Sequence, residues 1–321
     1  MGNMFRARAR RGNRTRSAPR CPPRTAPLSV VVPLGLAPVP AQCSTPNCLI
    51  DFKGYQWWTS YNYYPPPTYF YSQGNQWAPK NAFVDNLGLL HLMIQNRNLG
   101  GGDRPSAAEV VAMFKADGSA ANLGYGTYLV TTKVDPPIRS WDGLDPNATF
   151  GAFTYERIGT GTIENPQREL DLAEISRWGF ASGDPNCPRG VLDPKLCSGN
   201  AQFTLQKWDR HSDNLHRYSI NPGVNTVTLV MSWPGANQPV TFRQYNGAFT
   251  LANLPAAAAY QWATSAAENP YVPATACERF HLNFWMGNYD KRAEKEEGYH
   301  PPPKIVPQEI VVTNFEFTPA Q

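Results

Sequence analysis

Long apolar runs are absent from these 321 residues. No stretch reaches the roughly 20 consecutive apolar residues that a membrane-crossing helix requires, so no membrane partner is expected. Cys-x-x-Cys pairs are also missing, as is any histidine spacing that would complete a zinc site, and no metal ligands are predicted. His211 and His216 are five residues apart, which on a strand places them on opposite faces. No internal repeat is present, which argues against a solenoid or a propeller. Charge is scarce, at 17%, and acidic residues are wholly lacking from the first 24 positions, where eight arginines fall. With that segment set aside, 21 of the 29 basic side chains remain against 25 acidic ones, a net of −4. Such a body has no electrostatic footprint for nucleic acid.

The basic segment runs to Arg24 and precedes an uncharged run over 26–41 that ends in Val39-Pro40-Ala41, a small-residue pattern that signal peptidase accepts. Residues 1–41 are therefore expected to be a targeting leader, a signal peptide for secretion, with an organellar transit peptide as the alternative. Beyond it stand Cys43, Cys48, Cys187, Cys197 and Cys277, an odd number. Cys187 and Cys197 bracket a loop that a disulfide would close, and Cys43 or Cys48 is available to Cys277; reduced thiols are the other reading. Asn147-Ala148-Thr149 is a glycosylation sequon, usable only in a secreted chain.

What is abundant is aromatic side chains, at 12%, together with 31 prolines and 25 glycines. That mixture suits many short strands joined by turns. An aromatic, proline-broken segment over 54–80 leads to strand-and-turn at 81–88 and a strand at 89–96. Further strands are predicted at 124–134, 149–158, 169–178, 201–208, 216–220, 226–233, 240–245, 279–285 and 308–317. Strands at such spacing predict an all-β chain, a two-sheet antiparallel β-sandwich, as one domain over 42–321. The best helical candidate is the alanine-rich 255–268, with proline at its start.

The most informative segment is Glu169-Leu170-Asp171-Leu172-Ala173-Glu174. On a strand Glu169 and Asp171 share a face, while Glu174 joins them only if a β-bulge near Ala173 absorbs one residue. Acids alternating with leucines also occur on the solvated face of an ordinary antiparallel strand. With the bulge, three carboxyls line one face, an arrangement suited to cleaving a glycosidic bond. Ser176 and Trp178 share the parity of Glu174; the Trp178 indole either stacks on a sugar ring or packs between sheets. In 280–285, Phe280, Leu282 and Phe284 make an apolar face, whereas His281, Asn283 and Trp285 make a mixed one that suits substrate contact.

Several segments together resemble glycoside hydrolase family 16, the concanavalin A-like jelly-roll endo-glycosidases. They are Asn81-Ala82-Phe83-Val84 with Gly88-Leu89-Leu90-His91-Leu92, Gly124-Tyr125-Gly126-Thr127-Tyr128 and Gly151-Ala152-Phe153-Thr154-Tyr155. The acid hexapeptide, His281-Leu282-Asn283-Phe284-Trp285 and Val311-Val312-Thr313-Asn314-Phe315 complete the set. The resemblance implies a retaining mechanism with Glu169 as nucleophile, Glu174 as acid/base and Asp171 as the residue that orients them. It implies a polysaccharide substrate, a β-glucan or galactan cut internally, with no cofactor beyond a structural calcium ion that relatives often carry. It also places Thr154 where the family usually has a tryptophan that shapes the sugar site, so a wider pocket is expected there. The alternatives are a lectin-like carbohydrate-binding jelly roll and a transglycosylase. A monomer is expected.

Overall fold

The computed structural model describes residues 48–59, 71–72, 75–98, 103–134, 136, 138–145, 147–156, 165, 168–176, 199–206, 214–236, 238–266, 269–286 and 307–321. Its first strands are β1 (Leu49–Phe52), β2 (Tyr55–Thr59), β3 (Tyr71–Ser72), β4 (Asn75–Trp77), β5 (Ala82–Val84) and β6 (Leu90–Asn98). Then come β7 (Asp103–Lys115), β8 (Gly126–Val134), β9 (Ala148–Tyr155), β10 (Leu170–Ile175), β11 (Ala201–Leu205) and β12 (Leu215–Tyr218). The last are β13 (Thr226–Trp233), β14 (Thr241–Asn246), β15 (Tyr260–Ala263), β16 (Arg279–Met286) and β17 (Gln308–Pro319).

Antiparallel pairing joins these strands into two sheets. The first runs β1-β2-β7-β16-β9-β10-β11-β12. The second runs β5-β6-β17-β8-β13-β14-β15. A short ribbon of β3, β4, β6 and β7 links them, with β4 parallel to β7. The expected two-sheet β-sandwich is thus what forms. Period-two alternation explains why: β16 turns Phe280, Leu282, Phe284 and Met286 inward, β9 turns Ala148, Phe150 and Ala152, and β13 answers with Val227, Leu229, Met231 and Trp233. Aromatic contacts bridge the layers, as between Tyr128 and Phe280 (5.3 Å) and between Phe203 and Phe242 (5.4 Å). Trp57 is fully buried because its Nε1–H donates to the Phe52 carbonyl at 3.0 Å.

Outside the core, His91 on β6 stacks on Phe83 of β5 (4.6 Å, 5°) and lies between two carboxylates. Its Nε2 meets Asp85 at 3.1 Å, and its Nδ1 meets Glu309 of β17. Both ring nitrogens can donate only in the imidazolium form. Burial alone would lower the His91 pKa, but the two acids outweigh it and the net shift is upward.

Three expectations need correction. The described part of the segment 255–268 is not a helix: 255–259 is loop leading into β15, where Tyr260 and Trp262 alternate and stack on Tyr218 (4.3 Å) and Phe242 (5.3 Å). Packing there overrides the helix propensity of alanine. The 13-residue β7 was not expected, nor were β1 and β2. Asn147 is 2% exposed, its Nδ2 directed at Asp145, so the sequon is closed to glycosylation in the folded chain. Among the described residues no cysteine is free, Cys48 and Cys277 both being disulfide-bonded. The Cys187–Cys197 pairing lies outside the described residues.

Candidate active site

The bulge is present in β10. Against β9, Asp171 pairs with Phe153 and Ala173 with Ala152; against β11, Asp171 pairs with Thr204 and Glu174 with Gln202. Three residues of β10 thus span two of its partner. Leu170, Leu172, Ala173 and Ile175 all enter the core, two consecutive residues sharing the inward position. Asp171 and Glu174 consequently face the same way, onto the side of the first sheet turned away from the core. Glu169, just before the strand, continues the parity of Asp171.

Register places two rows of side chains across this open face. One reads Val111, His281, Phe153, Asp171 and Thr204 over β7, β16, β9, β10 and β11. The other reads Glu109, Asn283, Gly151, Glu174, Gln202 and Arg217, and extends to β12. Gly151 leaves room for Asn283 in that row, because a Cβ there would lie 2.4 Å from Asn283 Oδ1 and displace that side chain. His281 is 3% exposed, stacks on Phe153 (5.0 Å) and bonds Glu109 through Nδ1 at 2.9 Å. Gln206 Nε2 donates to Asp171 Oδ2 at 3.0 Å. Gln202 Nε2 donates to Glu174 Oε2, and the Gln202 Oε1 accepts from Arg217 Nε (3.1 Å) and Nη2 (2.6 Å).

Glu169 is fixed through its backbone. The Asn165 side chain accepts from the Glu169 N–H (3.0 Å) and donates to the Glu169 carbonyl (2.9 Å), which also accepts from the Gln206 N–H (3.1 Å). Thr154 holds the residues on either side: its Oγ1 donates to the Arg168 carbonyl (2.9 Å) and accepts from the Leu170 N–H (3.1 Å). Arg168 itself has φ +48°, a left-handed conformation costly for a residue with a Cβ. Its ion pair with Glu156 (2.8 Å) and its donation to the Ala274 carbonyl (2.8 Å) hold it there.

Thr154 therefore does not widen a sugar pocket, as the resemblance implied. It shares the parity of Phe150 and Ala152, toward the body of the protein, while Phe153 and Tyr155 take the open face. Thr154→Val keeps the shape and strands two buried backbone groups, so unfolding free energy should fall by roughly 2 kcal/mol or more. Urea denaturation of the variant measures this, and turnover should fall with it because Glu169 loses its support.

Crowding and burial set the charge of the cluster. Burial, then the charges of Glu174 and Glu109, push Glu169 up to about 8. Burial and the two neighbouring glutamates raise Asp171 well above the usual carboxylate range. Glu174 is raised by burial as well, but the Gln202 amide and the Arg217 charge restrain it. The cluster thus keeps protons near neutrality that isolated acids would have released.

Of the expected substrate-contacting residues, Asn283 and Trp285 lie half-buried on the open face, Asn283 directly across Gly151 from Glu174. Ser176 follows β10 on the acid-bearing parity and is buried, its N–H bonded to the Asn200 carbonyl at 3.0 Å. Trp178 lies outside the described residues. Glu109, Asn165, Gln202, Gln206 and Arg217 were not foreseen. For Gln202 a signal existed, since it alternates with Phe203 in a strand whose inner face was readable. Among the described residues no group of three His, Cys, Asp or Glu side chains is arranged to hold a metal ion, so the calcium implied by the resemblance finds no such ligand set there.

No protein-family model matches the chain, and no curated protein is similar to it in sequence. Some solved structures are similar to it. Its structural neighbours include family 16 glycoside hydrolases. A β-1,3-1,4-glucanase (lichenase) from a mouse hindgut metagenome is 16% identical, with 82% of this chain and 92% of that one covered and a TM-score of 0.48. A family 16 glycosyl hydrolase of Mycobacterium smegmatis is 15% identical over 80% and 89% of the two chains, with a TM-score of 0.43. An immunostimulatory antigen of Mycobacterium tuberculosis described as a pseudo β-1,3-glucanase is 15% identical over 80% and 88%, with a TM-score of 0.45. At such identities and TM-scores the likeness carries no activity over to this chain.

Proposed function

We propose that the chain is a retaining endo-glycosidase that hydrolyses internal β-glycosidic bonds of a polysaccharide, a β-glucan or galactan. The observation that carries this reading is the bulge, which gathers Glu169, Asp171 and Glu174 on one open face of a sheet. In the first step the Glu169 carboxylate attacks the anomeric carbon while Glu174 gives its proton to the departing oxygen. In the second step Glu174, now ionised, takes a proton from water, which attacks the same carbon and releases Glu169. Mutual repulsion favours holding one proton between the two glutamates, and the reactive form is the one with that proton on Glu174 and the charge on Glu169. Because Glu169 is pushed up to about 8, this form gains population as pH rises toward that value. A neutral Asp171 supplies a hydrogen-bond donor to an ionised neighbour rather than a third charge.

Asn283 and Trp285 line the path of the polymer, with Ser176 continuing it beyond Glu174. The reaction needs no cofactor. Secretion, for which the leader and the disulfide-bonded cysteines are the support, and a monomeric state complete the proposal.

Reducing-sugar release from laminarin, mixed-linkage glucan, agarose and carrageenan tests the reading, with the anomer first formed followed by NMR. Turnover with retained configuration, lost in Glu169→Gln, is the expected result. Polymer binding without turnover, unchanged by the substitution, would make the protein a lectin. Transfer of sugar to labelled acceptors in preference to water would make it a transglycosylase.

A further inference from the structure

Arginine has only donors, and this fixes the direction of a chain of hydrogen bonds leading to Glu174. Arg217 presents Nε and Nη2 to one atom of the Gln202 side-chain amide, at 3.1 and 2.6 Å. That atom must be the carbonyl oxygen. The other end of the amide, which meets Glu174 Oε2, must then be the NH2 group, and Oε2 must accept. The unprotonated oxygen of a carboxylic acid is the better acceptor, so the acceptor role of Oε2 favours the carboxylic proton on Oε1.

We propose that Arg217 is a positioning residue which, through Gln202, confines the exchangeable proton of Glu174 to Oε1 and makes that carboxyl a stronger acid. This rests on the reading of Glu174 as the acid/base. Arg217 touches no reacting atom; it acts at two bonds' remove. Its guanidinium is buried, which pushes its pKa down to about 10, so it remains a full cation at neutral pH. Among the described residues, the other charged or titratable groups around Glu174 are Glu169 and Asp171 on its own segment, and Glu109 with its His281 partner farther along the row. Arg217 is the cation whose field lowers Glu174.

The consequence is directional. In the protonated state a proton fixed on Oε1 has a single donor geometry, so no rotamer search precedes its delivery to the leaving oxygen. In the ionised state the Gln202 N–H and the Arg217 field stabilise the charge, which favours proton release. Both effects act on the chemical step and not on polymer affinity.

Three variants test this in the full-length protein. Arg217→Met should lower kcat on the order of 10-fold or more with KM little changed, and should move the alkaline limb of the kcat/KM profile upward. Arg217→Lys, which keeps a charged donor for the Gln202 oxygen, should return the limb toward its wild-type position. Gln202→Glu sets an acceptor against Oε2 and should move the limb farther up than Arg217→Met. An unmoved limb in Arg217→Met, with wild type active and the variant folded by thermal melting, overturns the proposal. If wild type cleaves none of the polymers, the proposed function fails on its own. The relay is then judged by carboxyl-carbon NMR titration of Glu174 in wild type and Arg217→Met: an upward shift supports it and coincident curves overturn it.

Discussion

Glu169→Gln is expected to abolish turnover while making the protein more stable, and the gap in stability should widen with pH. Loss of the nucleophile should cost on the order of 10⁴-fold or more in kcat. The stability argument rests on the direction of the shift. The Glu169 carboxyl titrates near 4.5 in an unfolded chain and is pushed up to about 8 when folded. Below about 4.5 both states hold the proton, and the carboxyl costs the fold nothing. Between there and about 8 the unfolded state has released it while the folded state still binds it, so each pH unit removes about 1.4 kcal/mol of stability. A glutamine has no proton to lose. The Tm of the variant should match wild type near pH 4 and exceed it by about 10 °C or more at pH 8, at about 2–4 °C per kcal/mol for a domain of this size. A Tm difference that stays flat from pH 4 to pH 8 would show that Glu169 is ionised as readily folded as unfolded.

Ala173→Asp should have the opposite outcome for stability. Leu172 and Ala173 share the inward position at the bulge, so the new carboxyl enters the core, where neither Gln202 nor Arg217 can reach it. Leaving such a charge unpaired costs roughly 3–5 kcal/mol. We expect a Tm lower by about 10 °C, or a loss of cooperative melting. Deleting Ala173 should do far less. Without the extra residue the alternation runs Leu170 in, Asp171 out, Leu172 in, Glu174 out and Ile175 in, so Glu174 stays opposite Gly151 and Gln202 and the acids remain on one face. The buried methyl that is lost is worth about 1 kcal/mol, and turnover should persist. Differential scanning calorimetry of both variants separates register from burial.

The acid-bearing face was readable because its pattern is local. Six residues carry both the alternation and the need for a bulge, and the core confirmed the inward positions as leucine, alanine and isoleucine. Phe280, Leu282 and Phe284 were readable for the same reason, as were most strands of the second sheet. By contrast β7 hides its period. Ala107 and Ala108 are both buried, because one end of the strand pairs with β6 and the rest with β2 and β16. The alanine run over 256–259 pointed to a helix whose place is decided by Tyr260 and Trp262 at long range. Gln202 and Arg217 were missed for a different reason. A strand shows which of its own residues share a face, but not which strand will lie beside it. The neighbours of Glu174 come from residues 28 and more positions away, and only the pairing of β10 with β11 and β12 brings them near.

The imidazole held between Asp85 and Glu309 adds a second pH dependence, remote from the acid cluster but of the same sign. His91 gains protons on folding, so its contribution is complete below the unfolded value of 6.5 and fades as pH climbs through its higher folded value. Alkali therefore loosens this protein at two places at once: at the acid cluster, where buried carboxyls are forced to ionise, and at a seam, where a cationic rivet between β6 and β17 goes neutral. The molecule is built to be sturdiest in mildly sour surroundings.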